Sequence, residues 1–226
     1  MRPPVIPEAL PLDPEFDAQR GPAVDAARLT PAALRERFLR PPPWQVEQSG
    51  DGRLFVPDRP VRPAAVLIGL RARDGALHIV FTVRSAALND HAGQISFPGG
   101  RVEPDDPTPV DAALREAHEE ICLDRTLVDV LGTLPPYRTV SGYDVTPVVG
   151  LIGAGAQLHA HAGEVEECFD VPLTFLMDGA NHQRRIVIQE PTRRCLYAME
   201  FQGRRRYFIW GATAAMLRNL YRFLLA

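Results

Sequence analysis

Residues 110–123 read VDAALREAHEEICL and contain the pattern from which the fold is deduced. Apolar residues recur in this stretch at intervals of three and four: Val110, Ala113, Leu114, Ala117 and Ile121. At roughly 100° per residue these positions form one stripe of a helix. We therefore predict an amphipathic helix over residues 110–121 that packs its apolar stripe on a sheet.

The same helix carries three glutamates at positions that share another stripe. Glu116, Glu119 and Glu120 are spaced i, i+3 and i+4, and like charges at this spacing destabilise an isolated helix by a few tenths of a kcal/mol per pair. A bound Mg²⁺ or Mn²⁺ would offset the repulsion, because hard cations take carboxylate oxygens and complete their shell with water and phosphate. Arg115 is placed to pair with one of the carboxylates. The alternative is a solvated acidic helix face without a metal.

The loop before the helix favours the metal site over the solvated face. It contains Phe97-Pro98-Gly99-Gly100, and consecutive glycines let a backbone approach a neighbour or a ligand closely. A glycine-rich loop that leads into an acidic helix is a suitable arrangement for holding a metal beside a diphosphate. Phe97 is interpreted either as core packing or as a ligand contact.

The segment from Gly100 to residue 123 resembles the Nudix box, G-x5-E-x7-R-E-U-x-E-E-x-G-U, in which U is apolar. Three departures are visible: one extra residue between Gly100 and Arg115, Asp105 or Asp106 in place of the first Glu, and Cys122 in place of the second Gly. The resemblance implies a metal-dependent pyrophosphohydrolase with Mg²⁺ or Mn²⁺ as cofactor. It implies that Glu116, Glu119 and Glu120 are metal ligands, that Arg115 orients them, and that Glu116 is a candidate general base.

The residues upstream of the box resemble the signature of the coenzyme A pyrophosphatase branch of that family, L-L-T-x-R-S-x3-R-x3-G-x3-F-P-G-G. Residues 80–100 match its spacing, with Val80 and Phe81 for the leucines and Asn89 for the second Arg. Segments 134–136, 142–150, 164–173 and 207–214 also resemble this branch. The resemblance implies hydrolysis of CoA, with acyl-CoA or oxidised CoA as further candidates, to 3′,5′-ADP and 4′-phosphopantetheine or its acyl derivative.

Substrate contacts and a further carboxylate are also implied by the branch. The candidate substrate residues are Arg84, Phe97, Gly99, Gly100 and Tyr143. Tyr143 is a candidate because it lies in a polar loop between strands, and its alternative is a surface position without a function. Arg84 would hold a phosphate of CoA, such as the 3′-phosphate; its alternative is a structural ion pair. Glu164 is the candidate carboxylate from outside the box, as a ligand or general base, with a solvated charge run as the alternative.

Composition restricts the compartment and the partners. The chain has 226 residues with 46% hydrophobic and 23% charged residues and a net charge of −3, which is typical of an ordinary globular surface and lacks the basic footprint of nucleic-acid binding. Its three cysteines, Cys122, Cys168 and Cys195, show no metal-type or disulfide spacing, which favours a reducing, cytoplasmic setting. No signal sequence or membrane span is expected. A small-molecule substrate is therefore expected, and a homodimer is kept open.

The overall expectation is an α+β fold, an α/β/α sandwich with a mixed β-sheet between helices, as in the Nudix fold. Residues 1–60 are interpreted as a Pro-rich N-terminal extension with one short helix, at residues 32–39 after Thr30-Pro31, and residues 61–226 as the Nudix hydrolase domain. Strands are expected at 64–70, 77–83, 127–134, 145–152, 164–172, 186–189, 195–201 and 207–209, and a last helix at 211–225. Asp74-Gly75 predicts a hairpin turn.

Two other functions remain open on the sequence alone. One keeps the chemistry and changes the substrate to ADP-ribose, a dinucleotide or another nucleoside diphosphate derivative, which the change at Asn89 allows. The other is a Nudix fold that serves as a binding module without catalysis. Such a module would be free to lose the glutamate cluster, and here Glu116, Glu119 and Glu120 are all present.

Overall fold

The computed structural model describes residues 6–17, 20–47, 61–85, 93–189 and 192–226. Asn89, which the sequence analysis names, lies outside these ranges. In the described part the chain forms five α-helices and two sheets.

The larger sheet is mixed, as predicted. Its strands are β1 (Arg62–Arg73), β2 (Ala76–Arg84), β3 (Ile95–Ser96), β4 (Gly99–Arg101), β5 (Val128–Thr133), β6 (Tyr137–Arg138), β7 (Tyr143–Ile152) and β8 (Val165–Pro172). The order is β3-β2-β1-β7-β5, while β4 pairs with β1, β6 with β7 and β8 with β2. Strands β1 and β7 are parallel, and the other pairs are antiparallel.

The last three strands form a sheet of their own, which the strand pattern of the sequence does not separate from the first. They are β9 (His182–Gln189), β10 (Thr192–Gln202) and β11 (Arg206–Trp210), antiparallel in the order β11-β10-β9. The helices are α1 (Pro14–Asp17), α2 (Pro31–Leu39), α3 (Pro109–Ile121), α4 (Leu173–Leu176) and α5 (Gly211–Leu225).

The predicted hairpin between β1 and β2 is confirmed. Asp74 and Gly75 both have positive φ angles, 51° and 79°, the backbone of a tight turn whose twist matches that of the flanking strands. Strand β1 lies at the centre of the larger sheet. It pairs with β4 and packs against α3, so it supports both the loop and the helix of the candidate site.

Helix α3 begins and ends where the sequence predicts, apart from one additional residue at its start. The side chain of Thr108 accepts a hydrogen bond from the backbone N–H of Asp111, and Pro109 occupies the first turn. Cys122 ends the helix in the left-handed conformation, with φ 55°. The substitution for glycine at this position therefore leaves the backbone geometry of the helix end in place.

The two faces of the larger sheet are covered by different helices. Ala113, Ala117 and Ile121 of α3 are fully buried in one core cluster with Ala65 and Leu67 of β1. The opposite core cluster combines other residues of the sheet with Leu217, Leu220 and Tyr221 of α5, among others. This is the helix–sheet–helix sandwich that the sequence analysis expects.

The described part of the N-terminal segment packs on α5 and the second sheet. Phe16 lies 5.5 Å from the ring of Tyr197, and the hydroxyl of Tyr221 donates to the carbonyl of Pro22 at 2.7 Å. Phe16 and Leu34 belong to the main core cluster. Residues 6–17 and 20–27 are thus tied to the core rather than loosely attached.

A buried histidine lies beneath this segment. Nε2 of His182 donates to the carbonyl of Leu176 at 2.7 Å, and Nδ1 accepts from Arg218 at 3.2 Å, an assignment that follows because a guanidinium only donates. Burial lowers the pKa of His182 to about 4. The ring is therefore neutral and structural.

In the part of the chain that the structure describes, no helix is long and apolar enough to cross a membrane.

Candidate metal and diphosphate site

Arg115 is the centre of a hydrogen-bond network in the candidate site. Its Nε and Nη2 bond the two carboxylate oxygens of Asp106 at 3.1 and 2.9 Å. Its Nη1 reaches one oxygen each of Glu116 and Glu119, both at 3.0 Å, and Nη2 also bonds the carbonyl of Arg101. Arg115 therefore holds two of the three candidate ligands in place, as the sequence analysis expects.

Asp106 resolves an alternative that the sequence leaves open between two aspartates. It caps a turn by accepting from the backbone N–H of Glu103 at 2.8 Å, and hydrogen bonds from Arg115 lower the pKa of its carboxyl. Asp105, its neighbour, is exposed. The extra residue between Gly100 and Arg115 is thus accommodated without loss of the carboxylate that binds Arg115.

Gly100 leaves the space that the carboxylate of Glu116 occupies. A Cβ at Gly100 would overlap both Glu116 carboxylate oxygens and the carbon between them, so only glycine fits there unless the carboxylate moves. The backbone of β4 is in this way packed directly against the acidic face of α3. Burial raises the pKa of Glu116, and the charges of Glu119 and Glu164 act in the same direction against that of Arg115.

Glu120 is buried, although the helical spacing groups it with its exposed neighbour. Its residue is 4% exposed, whereas the side chain of Glu119 is 51% exposed. Oε2 of Glu120 accepts from the backbone N–H of Gly99 at 3.2 Å. Burial raises the pKa of Glu120 to about 7; the charges of Glu116 and Glu164 also raise it, while Gly99 and Arg84 lower it.

Gly99 can donate to Glu120 because its backbone lies against β1. Its φ is 156°, and a Cβ there would overlap the carbonyl oxygen of Ala65 and the Cα of Val66. These contacts follow from the pairing of β4 with β1. The two consecutive glycines therefore have separate functions, one facing the neighbouring strand and the other facing Glu116.

Glu164 is brought to the cluster by backbone hydrogen bonds. The last carbonyls of α3, at Glu120 and Ile121, accept from the backbone N–H groups of His161 and His159 at 2.9 and 3.0 Å. This fixes the chain just before Glu164, whose charge raises the pKa of both Glu116 and Glu120. The structure thus brings Glu164 to the predicted cluster.

Glu167 has a different surrounding. Its carboxylate bonds the guanidinium of Arg205 and the hydroxyl of Tyr207. It therefore links β8 to the second sheet, and the acidic run at residues 164–167 divides between the candidate site and a structural contact.

The donor set fits a hard divalent cation, although no ready-made cluster exists. In the described ranges, no three His, Cys, Asp or Glu side chains stand in positions that would hold a metal as they are, since Arg115 and Gly99 engage the glutamates. Mg²⁺ needs only one or two carboxylates besides water and phosphate. Glu116 and Glu120 are the two glutamates that lie against the Gly99-Gly100 backbone, and they are the candidates for those positions. The set of Glu116, Glu119 and Glu120 stays a prediction.

Arg84 lies between these carboxylates and a large cavity. Its Nη1 is 3.9 Å from Oε1 of Glu120, and its Nε is buried without a hydrogen-bond partner. Arg84 and Gly99 both line a cavity of about 590 Å³ between the two sheets. An anion bound at Glu120 through a cation would therefore meet Arg84 at the cavity entrance.

Phe97 and Tyr143, the two predicted aromatic contacts, have different positions. Phe97 is buried and stacks on Phe81 with centroids 5.1 Å apart, as its core-packing alternative requires, and it also lines the cavity. Tyr143 lies 4.0 Å beneath the guanidinium of Arg62 and accepts from Nε of Arg101. It is not among the described residues that line the cavity.

The C-terminal residues that line the cavity are not predicted as site residues by the sequence analysis. They include Val187, Leu196, Trp210 and Ala212. The resemblance of segment 207–214 to the CoA branch is the signal that points to this wall. Its place opposite Arg84 depends on the second sheet, whose position no local pattern indicates.

The chain is similar to known proteins in sequence and in structure. The NUDIX domain matches residues 60–182. The uncharacterized Nudix hydrolase NudL of Citrobacter koseri is 43% identical over 162 residues, which cover 70% of this chain and 81% of that protein. Its counterpart in Pectobacterium atrosepticum is 39% identical over 165 residues, covering 72% and 84%. The crystal structure of RenU, a Nudix hydrolase from M. smegmatis, has a TM-score of 0.42 at 22% identity, covering 50% of this chain and 71% of that one.

Proposed function

The chain belongs to the NUDIX domain family, and from this we propose that it hydrolyses the diphosphate bond of coenzyme A with Mg²⁺ or Mn²⁺ bound. The products would be 3′,5′-ADP and 4′-phosphopantetheine. Nudix hydrolases act on pyrophosphate-containing small molecules and generally use divalent metal ions. CoA as substrate and the choice of ion are the specific parts of the proposal.

One observation carries the proposal. Arg84, the arginine of the upstream segment, lies 3.9 Å from the buried Glu120 of the box. The upstream segment, which resembles the CoA branch, and the box, which resembles the family as a whole, therefore contribute to one site. A cation at Glu120 and the guanidinium of Arg84 would both face the same diphosphate, because charge-assisted contacts to phosphate favour arginine.

The metal ligands in this proposal are Glu116, Glu120 and Glu119, of which Glu119 is the most exposed to solvent. A bound Mg²⁺ or Mn²⁺ supplies neutralisation of the diphosphate charge. Arg115 positions Glu116 and Glu119 through the hydrogen bonds at 3.0 Å. Gly99 and Gly100 let the backbone of β4 pack directly against Glu120 and Glu116.

We assign the proton transfer to Glu164 rather than to Glu116. Glu116 gives one oxygen to Arg115 and packs against Gly100, which leaves it little freedom to turn toward water. Glu164 is exposed, yet close enough to influence Glu116 and Glu120 electrostatically. A carboxylate with this access to both solvent and cluster suits a general base that accepts a proton from the attacking water.

Product analysis with matched substrates tests the proposal. The purified chain is incubated with CoA, ADP-ribose and NADH, each with Mg²⁺, with Mn²⁺ and with a chelator. We expect metal-dependent release of 3′,5′-ADP from CoA at a higher kcat/KM than for either other substrate. Turnover of ADP-ribose or NADH without turnover of CoA would refute the substrate, and no turnover of any of them would favour a binding module.

Arg84→Ala distinguishes two phosphates of CoA. The contact between Arg84 and Glu120 supports a role at the diphosphate, so we expect an equal loss of kcat/KM on CoA and on dephospho-CoA. A loss confined to CoA would place Arg84 at the 3′-phosphate instead. Arg138→Ala is a matched control, because Arg138 pairs with Asp144 at 3.9 Å.

The compartment is also part of the proposal. The structure leaves Cys122, Cys168 and Cys195 as free cysteines, which supports the reducing, cytoplasmic setting expected from the sequence.

A further inference from the structure

The cavity between the two sheets continues directly from the carboxylate cluster. Arg84 and Gly99 line it, and both also lie against Glu120, Arg84 at 3.9 Å and Gly99 through its N–H at 3.2 Å. A diphosphate held at Glu120 therefore has one of its two substituents directed toward this space. About 590 Å³ is within the range of small-molecule sites.

Aliphatic side chains line the cavity from three parts of the fold. Val66 and Val145 come from the larger sheet, Val187 and Leu196 from the second sheet, and Met216 from α5. Among the described lining residues no carboxylate occurs, and the charged ones are Arg84 and Arg194. Polar side chains also line the cavity, among them Gln94, Thr139 and Ser141, and they are of the types that bond amides and hydroxyls. Such a lining matches a flexible arm that is attached to an anion and carries both apolar carbons and amides.

The face of the aromatic wall residue Phe97 is already occupied. Phe97 stacks on Phe81, and Phe81 stacks in turn on Phe169 at 5.6 Å. A base that enters would find little of that ring to stack on. Phe97 therefore does not serve as a stacking platform, and the aliphatic side chains of the lining suit a flexible chain.

A hydrogen bond joins two elements that line the cavity. The hydroxyl of Thr213 in α5 donates to the carbonyl of Ile95 in β3 at 3.0 Å. Val140 lies on the short connection between β6 and β7, lines the same cavity and is 49% exposed. A chain that enters the cavity would cover this aliphatic side chain, which gains free energy by the removal of apolar surface from water.

We propose that this cavity binds the aliphatic arm of the diphosphate substrate, a pantetheine-like chain that extends from the phosphate toward Val187 and Leu196. The inference rests on the proposed function, since it takes the occupant to be an arm of the same substrate. Ala212 and Val140 are then specificity-determining residues, one on the helix side of the cavity and one on its loop side.

Binding of alkyl phosphates tests the cavity without relying on turnover. Dissociation constants of butyl, hexyl and octyl phosphate are measured by calorimetry in the presence of Mg²⁺. Burial of each methylene contributes up to about fourfold in affinity, so we expect the dissociation constant to fall steadily along the series. The same affinities for all three phosphates would overturn the proposal.

Three variants locate the effect. Ala212→Phe fills the cavity, and Val140→Asp places a charge on an exposed loop position where the fold tolerates it. Ile188→Asp is the matched control, since Ile188 is 69% exposed and is absent from the described lining of the cavity. The increase in affinity with alkyl chain length should disappear in Ala212→Phe and Val140→Asp, and it should persist in the control. A gain retained in both cavity variants would overturn the proposal.

The two proposals fail in different ways. If the chain hydrolyses CoA but binds the three alkyl phosphates with the same affinity, the cavity inference is wrong and the proposed function stands. Chain-length-dependent binding at Ala212 and Val140 without hydrolysis of any diphosphate supports the cavity as a site for aliphatic chains and removes the proposed function.

Discussion

Arg115 and Asp106 are joined by two parallel hydrogen bonds, Nε to Oδ1 at 3.1 Å and Nη2 to Oδ2 at 2.9 Å. A bidentate pair of this kind fixes the plane of the guanidinium as well as its position. The remaining nitrogen, Nη1, is thereby aimed at Glu116 and Glu119. Asp106 is thus a positioning residue that acts on the carboxylates through Arg115.

Asp106→Asn should lower kcat by about 10- to 100-fold, the usual effect of losing a residue that orients metal ligands. An amide cannot accept two hydrogen bonds from a guanidinium through both of its end atoms, so Arg115 would lose its fixed plane. Steady-state kinetics across a range of Mg²⁺ concentrations would show a raised metal requirement. Asp105→Asn is the control and should resemble wild type; equal effects of both variants would contradict the positioning role.

Glu120→Gln should reduce activity by orders of magnitude and leave the fold intact. Glutamine keeps the acceptor for the N–H of Gly99 but removes the charge that a cation needs. Thermal unfolding with and without Mg²⁺ measures this: wild type should gain stability on metal addition, as a ligand that binds only the folded state requires, and the variant should gain much less. Near wild-type activity would mean that the metal site lies elsewhere. Glu166→Gln, at an exposed position, is the matched control.

Glu164→Gln should reduce kcat by about 10²- to 10⁴-fold if Glu164 is the general base. The acidic limb of the pH–rate profile should disappear with it, a change that a merely structural role would not produce. If kcat and the profile stay close to those of wild type, Glu116 becomes the better candidate for the base.

Cys122→Gly should stabilise the protein by about 0.5–1 kcal/mol. Cys122 has a φ of 55°, and the left-handed conformation costs a residue with a Cβ about 1–2 kcal/mol. Glycine removes this cost, but it loses more conformational entropy on folding, which offsets part of the gain in stability. Urea unfolding measures the difference. Cys122→Ala retains the strained conformation and should show no gain; a gain in that variant would point to the thiol rather than to the backbone.

His182 should make the protein less stable in mild acid. The pKa of His182 is about 4 in the folded chain, against about 6.5 for an unfolded chain. The unfolded chain therefore binds the proton first, and the stability due to neutral His182 is present above pH 6.5 and is lost as the pH falls toward 4. The loss is on the order of 3 kcal/mol.

Urea unfolding at pH 7.5, 6, 5 and 4 checks the effect of His182. His182→Gln keeps an amide donor for Leu176 and an acceptor for Arg218, and it should flatten the dependence on pH. An equally steep loss of stability in the variant would assign the acid sensitivity to carboxylates elsewhere in the chain.

Much of the fold could be predicted because its signals are local. The apolar spacing of α3, the Thr30-Pro31 start of α2 and the Asp74-Gly75 turn each depend on a few neighbouring residues, and all three are confirmed. Strands β3, β4 and β6 have only two or three residues, too few for any periodicity to show. The NUDIX match confirms the family and the fold that the box implies.

The candidate site was predictable in its composition but not in its arrangement. Helical spacing groups Glu119 with Glu120, yet only Glu120 is buried, because β4 donates the N–H of Gly99 to it. The choice of Asp106 over Asp105 likewise depends on the hydrogen bonds that Asp106 makes with Glu103 and Arg115. These are contacts between distant parts of the chain, which a pattern along one helix does not contain.

The loop that leads to Glu164 is attached to α3 by the backbone N–H groups of His159 and His161. Every residue except proline supplies such a group, so the side chains at 159 and 161 are free to vary among related enzymes. The spacing between His161 and Glu164 has no such freedom. We expect an insertion or deletion within residues 162–163 to move the carboxylate of Glu164 away from the cluster, and a substitution of Gly163, whose φ is 116°, to strain the backbone at the same place.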